Sequence, residues 1–161
     1  MKRSISIILS LILFLSFTVI ANGQTNTETN LVVKMEYYSD GSYGITRLIT
    51  DAICPADKVM SFRSTITKSK VYDHYSANNV LLWEVKLTAS FTYNGSTASC
   101  TNATPSYTMY ATTWSVTKSN ATYSGNTATG NFTVKRYNMF IPVETVNKTL
   151  TLTCSPSGVV T

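Results

Sequence analysis

Residues 81–93, LLWEVKLTASFTY, put Leu81, Trp83, Val85, Leu87, Ala89, Phe91 and Tyr93 at every second position, and Glu84, Lys86, Thr88, Ser90 and Thr92 between them. A period of two held this long fits a β-strand with one face buried and one face wet. A helix would scatter the same apolar side chains around its whole circumference. Asn94-Gly95 follows at once. Both residues tolerate positive φ, so a two-residue hairpin turn is predicted, with Tyr93 opposite Ser96. Facing residues share a side of a sheet, which turns Ala98 and Cys100 inward with Tyr93.

The end of the chain repeats the pattern. Val146, Leu150, Leu152 and Cys154 share one parity, and Thr145, Asn147, Thr149, Thr151 and Thr153 share the other. Further strands are expected at 32–38, ahead of the turn Ser39-Asp40-Gly41-Ser42, and at 105–110 and 113–118. Residues 45–50 read as a strand or as the start of a short helix through Ala52. Residues 60–71 alternate imperfectly, with Phe62, Ser64, Ile66 and Lys68 on one parity. Gly125-Asn126 turns into 127–137, where Ala128, Gly130, Phe132 and Val134 face inward. Residues 139–143 contain Pro142, which suits an edge strand or a bulge.

Seven or eight strands punctuated by turns, with no long helix, predict an all-β fold. The expected architecture is a single antiparallel β-sandwich, immunoglobulin-like or jelly-roll-like, spanning 31–161. Trp83, Trp114 and Phe132 should fill the space between its sheets. Its wet faces are built from hydroxyls: the chain has 26 Thr and 19 Ser, and only 13% charged residues. Threonine is β-branched, fits a pleated strand, and keeps an exposed face polar without charge.

The N-terminus reads as an export signal. Lys2 and Arg3 precede an apolar run from Ile5 to Ile20, and small residues then offer cleavage after Ala21 or Gly23. Residues 1–23 are therefore a secretory signal peptide and 24–30 a polar, disordered lead. The apolar run is marginal for a bilayer span, and no cysteine follows it as a lipid anchor would need. Stable membrane insertion after signal cleavage is not expected. The net charge of +5 falls to about +3 without Lys2 and Arg3, and the remaining basic residues are scattered. Nucleic acid wants a dense basic stripe, so it is not an expected partner.

Of the three cysteines, Cys100 and Cys154 both point inward at strand ends, and export makes oxidation plausible. They are the preferred disulfide pair, with two buried free thiols as the alternative. Cys54, in Ile53-Cys54-Pro55, stands alone.

Several stretches resemble a group of short secreted proteins of Gram-positive bacteria that have no assigned function. They are Leu82-Trp83, Phe91-Thr92-Tyr93-Asn94-Gly95, Cys100, Trp114-Ser115-Val116-Thr117, Ser124-Gly125-Asn126, Gly130-Asn131-Phe132-Thr133-Val134 and Leu150-Thr151-Leu152-Thr153-Cys154-Ser155. The resemblance covers about half the chain. It implies a secreted β domain in which Cys100 and Cys154 pair, and it implies no activity. Cys54 and residues 31–60 have no counterpart in it.

Catalytic chemistry finds little to work with. His74 is the only histidine, and its neighbour Asp73 falls on the opposite face of a strand, badly placed to orient the ring. No CxxC or HxxxH spacing suggests zinc, no DxDxDG-like loop suggests calcium, and no Gly-rich loop is shaped for phosphate. No catalytic residue, metal or cofactor is assigned. Tyrosine is the one surface feature of note: Tyr37, Tyr38, Tyr43, Tyr72, Tyr75, Tyr107, Tyr110 and Tyr123 cluster at strand ends and turns. An apolar ring carrying a hydroxyl suits sugar or protein partners. Tyr72, Tyr75 and Tyr110 are the candidate binding residues.

The sequence therefore leads to a secreted, extracellular, non-catalytic binding or interaction module, free or associated with the cell surface. Its expected partner is a cell-wall or host glycan, or a protein. The alternatives are a small secreted hydrolase using carboxylates or His74, and a surface or matrix protein that self-associates through an edge strand.

Overall fold

The alternation seen in 81–93 is a strand along its whole length, and among the described residues every regular element around it is a strand too. The computed structural model describes residues 29–50 and 63–161. Within them run β1 (Thr29–Tyr37), β2 (Tyr43–Thr50), β3 (Ser64–Tyr75), β4 (Leu81–Tyr93), β5 (Ala98–Met109), β6 (Trp114–Ser124), β7 (Thr127–Asn138) and β8 (Ile141–Thr153). They form a five-stranded sheet, β1-β2-β3-β4-β5, and a three-stranded sheet, β6-β7-β8. Every pairing is antiparallel. The expected signal peptide, most of the polar lead, Cys54 and Phe62 lie outside the described residues. β1 begins at Thr29, within the stretch read as the lead.

Within each sheet the strands follow chain order, and only the step from β5 to β6 changes sheet. An immunoglobulin-like or jelly-roll order needs Greek-key crossings, so that part of the expectation is corrected. Short turns explain the result. Except between β2 and β3, which residues 51–63 join, each antiparallel neighbour is reached through two to five turn residues, which costs less loop entropy than a crossing.

The two sheets bury their apolar parities in one common core. Trp83, Val85, Leu87, Ala89 and Phe91 of β4 pack there with Ala128, Phe132 and Val134 of β7 and Val146, Leu150 and Leu152 of β8. Trp114 joins them, so all three anticipated aromatic anchors are buried. On the outward faces hydroxyls bond across strands: Thr67 to Ser90 and Ser69 to Thr88 at 2.8 Å, and Thr133 to Asn147 at 2.8 Å. Each such pair is worth a few tenths of a kcal/mol up to about 1.

Several local expectations shift. Tyr93 pairs with Ala98 rather than Ser96. The Asn94 side-chain oxygen accepts the backbone N–H groups of Ser96 (3.0 Å) and Thr97 (2.8 Å), and this Asx turn outcompetes the tighter hairpin. The strand expected at 105–110 is the second half of β5. Pro105 sits inside it, which is tolerated because β5 is an edge strand with no ladder to complete on its outer side. Residues 45–50 are strand, not helix. β3 begins at Ser64 and runs on to Tyr75, beyond the stretch 60–71 expected from sequence. Residues 139–143 divide between a turn, Met139-Phe140, and the start of β8.

The expected disulfide is not formed. Cys100 and Cys154 are free thiols, both buried as their parity requires. Each is turned onto a carbonyl instead: Cys100 Sγ donates to Asn102 O at 3.3 Å and Cys154 Sγ to Ser155 O at 3.4 Å. Burial raises both thiol pKa values above the ordinary cysteine range. Their backbones meet at one turn, with Cys100 N–H bonding Gly125 O and Cys154 N–H bonding Asn126 O.

Candidate functional site

Tyr37 pairs with Tyr43, and Tyr43 pairs with Tyr75. Register alone thus lines three tyrosines across β1, β2 and β3. Tyr72 and His74, on the other parity of β3, pack against Trp83 in the core, so the row lies on the face turned away from the second sheet. The Tyr43 and Tyr75 rings stack at 5.0 Å with 7° between their planes. Tyr37 continues the row with its centroid 6.0 Å from that of Tyr43, and it is largely exposed. Tyr43 and Tyr75 are half-buried against one another and Tyr37 is the exposed end of the row.

One row further along the same face lies a charged group. Asp73 is 1% exposed, with Ile45 and Glu84 as its cross-strand neighbours. Arg47 Nε donates to Asp73 Oδ2 at 2.7 Å, and a terminal nitrogen of the same guanidinium lies 3.8 Å from Glu84. Burial pushes the Asp73 carboxyl above its usual range, outweighing the pull of Arg47. Glu84 is also raised, first by burial and then by the adjacent Asp73. Asp73 Oδ1 is left without a hydrogen-bond partner, which is costly for a buried oxygen.

Tyr72 does not join the surface row. It is 1% exposed, lies over Gly44, and shares a 2.9 Å hydrogen bond between its hydroxyl and that of Tyr38. A Cβ at position 44 would overlap the Tyr72 hydroxyl, so glycine is what lets the ring lie there. The expectation of Tyr72 as a binding residue is corrected: on strand β3 its parity points into the core. Its neighbours make a buried polar cluster. Tyr72 Oη is 3.3 Å from His74 Nδ1, the His74 ring stacks on Trp83 at 4.8 Å, and Lys148 Nζ sits 4.3 Å above the Tyr72 ring. Lys148 also pairs with Glu36, tying β8 to the far edge of the larger sheet. Burial holds His74 near pKa 4, with Lys148 adding to the effect, so the ring is neutral at pH 7. Burial raises the Tyr72 phenol, helped by the Tyr38 hydroxyl.

Of the three tyrosines singled out from sequence, the structure therefore places Tyr75, half-buried, in the outward row and Tyr72 in the core. Tyr110 is exposed, just beyond β5, with its N–H bonded to Leu82 O on β4. It stands at the same end of the sheet as Tyr75, on the other side of β4. Sequence reasoning passed over the roles of Tyr37 and Tyr43, and over Arg47, Glu84 and Lys148. Parity could have put Tyr43 and Arg47 on one face, but only the pairing register shows what stands beside them. Asp73 and His74 fall on opposite faces, as the strand geometry required. Among the described residues no group of three or more His, Cys, Asp and Glu side chains could hold a metal ion. Among the described residues no helix long and apolar enough to cross a membrane is found. No protein family, curated protein or solved structure is found to match the chain.

Proposed function

We propose that this protein is a β-sandwich that acts outside the cell as a non-catalytic binding module, with the Tyr37–Tyr43–Tyr75 row as its contact surface. The observation that carries this is the row itself: three aromatic rings aligned by register on a sheet face, beside charged Arg47 and Glu84. Ring edges offer apolar contact, while the phenols and neighbouring charges can bond to hydroxyl groups. A glycan of a cell wall or host surface fits that chemistry, and Tyr110 would extend the contact at the same end. The export signal and the resemblance to secreted Gram-positive proteins are consistent with such a setting. The hydrolase alternative would need Asp73 and Glu84 as an open pair. Asp73 is sealed beneath the surface and held by Arg47.

The test is retention of the exported protein on peptidoglycan and on a glycan array. Tyr43→Ser should weaken retention at least about tenfold, as loss of an aromatic anchor does. Tyr123→Ser, on the other sheet, should leave it unchanged. Equal retention of both variants, or retention only by a protein ligand, would refute the glycan reading.

A second reading has its own support. β1 is an edge strand carrying exposed Leu31, Val32, Val33 and Met35, a surface suited to pairing with another copy. Light scattering decides it: an assembly that Val33→Lys disperses would favour self-association.

A further inference from the structure

The turns at one end of the molecule differ sharply from one another. Chain order places the β1–β2, β3–β4, β5–β6 and β7–β8 connections at the same end. The β1–β2, β4–β5 and β6–β7 turns use Asp40-Gly41, Asn94-Gly95 and Gly125-Asn126. The β7–β8 turn is built from Met139 and Phe140, at φ 47° and 69°. Asn138 pairs with Ile141, so this is a two-residue turn with both central residues in the left-handed region, where glycine and asparagine belong. Bulky side chains there are strained, and they gain nothing in return: Met139 is 87% and Phe140 97% exposed, with Ile141 and Val143 exposed behind them. Strain held at an exposed, apolar tip points to a role outside folding.

We propose that the Met139-Phe140 tip is a membrane-contact finger that inserts shallowly into a phospholipid surface. The surroundings follow the order of a bilayer interface. Behind the apolar tip come Tyr137 on β7 and exposed Tyr110, Tyr37 and Val80 at the same end, and tyrosine favours the headgroup boundary. The four turns at this end, residues 38–42, 76–80, 110–113 and 139–140, contain one charged residue, Asp40. Its carboxylate is occupied by the N–H and hydroxyl of Ser42. Arg136 and Lys135 stand roughly 10–14 Å behind the tip along β7, at headgroup depth, with Arg136 paired to Glu144 and Lys135 leaving that level a net positive charge. The β7–β8 ladder is closed up to Asn138 and Ile141, so the unpaired backbone brought towards lipid is confined to the turn and the outer edge of the first residues of β8. A second copy of the chain suits the tip less well. Four side chains offer a few hundred Å², short of the roughly 800 Å² per partner of a stable protein interface.

The experiment uses exported protein, shown by mass to have lost residues 1–23, with vesicles of phosphatidylcholine alone and of phosphatidylcholine mixed with phosphatidylglycerol. Wild type should sediment with both. Met139→Asn with Phe140→Gly should lower the partition coefficient by about a hundredfold, since two large apolar side chains leave the lipid. The same variant should melt no lower than wild type, because Asn-Gly relieves the turn. Phe140→Trp should bind and shift its emission to the blue. Failure of wild type to bind, equal binding by the Asn-Gly variant, or a wild-type dimer that this variant dissolves without any vesicle binding would each overturn the proposal.

Discussion

Acidifying the protein from pH 7 to pH 5 should destabilise it through one ring. His74 is sealed between Tyr72, Tyr38, Trp83 and Trp114 and is held near pKa 4 against an ordinary 6.5. Between those values the unfolded chain binds a proton that the folded chain refuses, so falling pH favours unfolding. The contribution is fully present above pH 6.5 and lost as pH falls towards 4. Its full size is about 3 kcal/mol, of which about 2 kcal/mol is gone by pH 5. Asp73 and Glu84 act in the opposite direction, because their raised values make the folded state take up protons early. Glu36 and Asp40 are lowered, so their losses come only at more acid pH. A variant isolates the ring from these carboxyls. His74→Phe keeps an aromatic plate on Trp83, cannot titrate, and gives up the Tyr72 contact equally at every pH. Urea unfolding at pH 7 and pH 5 should show wild type losing about 2 kcal/mol more than His74→Phe over that interval. Parallel losses would mean that His74 is hydrated or charged in the folded protein, and the buried neutral cluster would be wrong.

Gly44→Ala should cost about 2–4 kcal/mol by thermal or urea unfolding, because the new Cβ meets the Tyr72 ring and the Tyr38–Tyr72 hydrogen bond must break. An unchanged midpoint would show that Tyr72 does not lie over β2. Cys100 and Cys154 should resist alkylation in the native protein and react after unfolding, as buried thiols with raised pKa do. Intact-mass analysis without reductant checks this: two hydrogens missing, with neither residue labelled after unfolding, would refute the free-thiol state.

Parity was legible in the sequence because a strand's side chains alternate whatever the strand pairs with. Residues 81–93 fixed their own buried face, and so did Ala128, Phe132 and Val134, and Val146, Leu150 and Leu152. The inward turn of Cys100 and Cys154 followed in the same way. The imperfectly alternating stretch 60–71 stops short of Tyr72, so the inward parity of Tyr72 shows only once β3 runs on to Tyr75. Register and partner depend on atoms far apart in the chain, and no local pattern encodes them. The alignment of Tyr37, Tyr43 and Tyr75, the clasp of Arg47 on Asp73, and the seat of Lys148 above Tyr72 exist only once β1, β2, β3 and β8 are assembled. The Met139-Phe140 turn makes the same point. Pro142 suggested a strand edge, but it was the closing of β7 on β8 that forced two bulky residues into left-handed backbone. Sequence decided which side of a regularly alternating strand meets water, because that needs only a period of two. Tertiary pairing decided which side chains stand together on that side, because contact is made across strands and not along them.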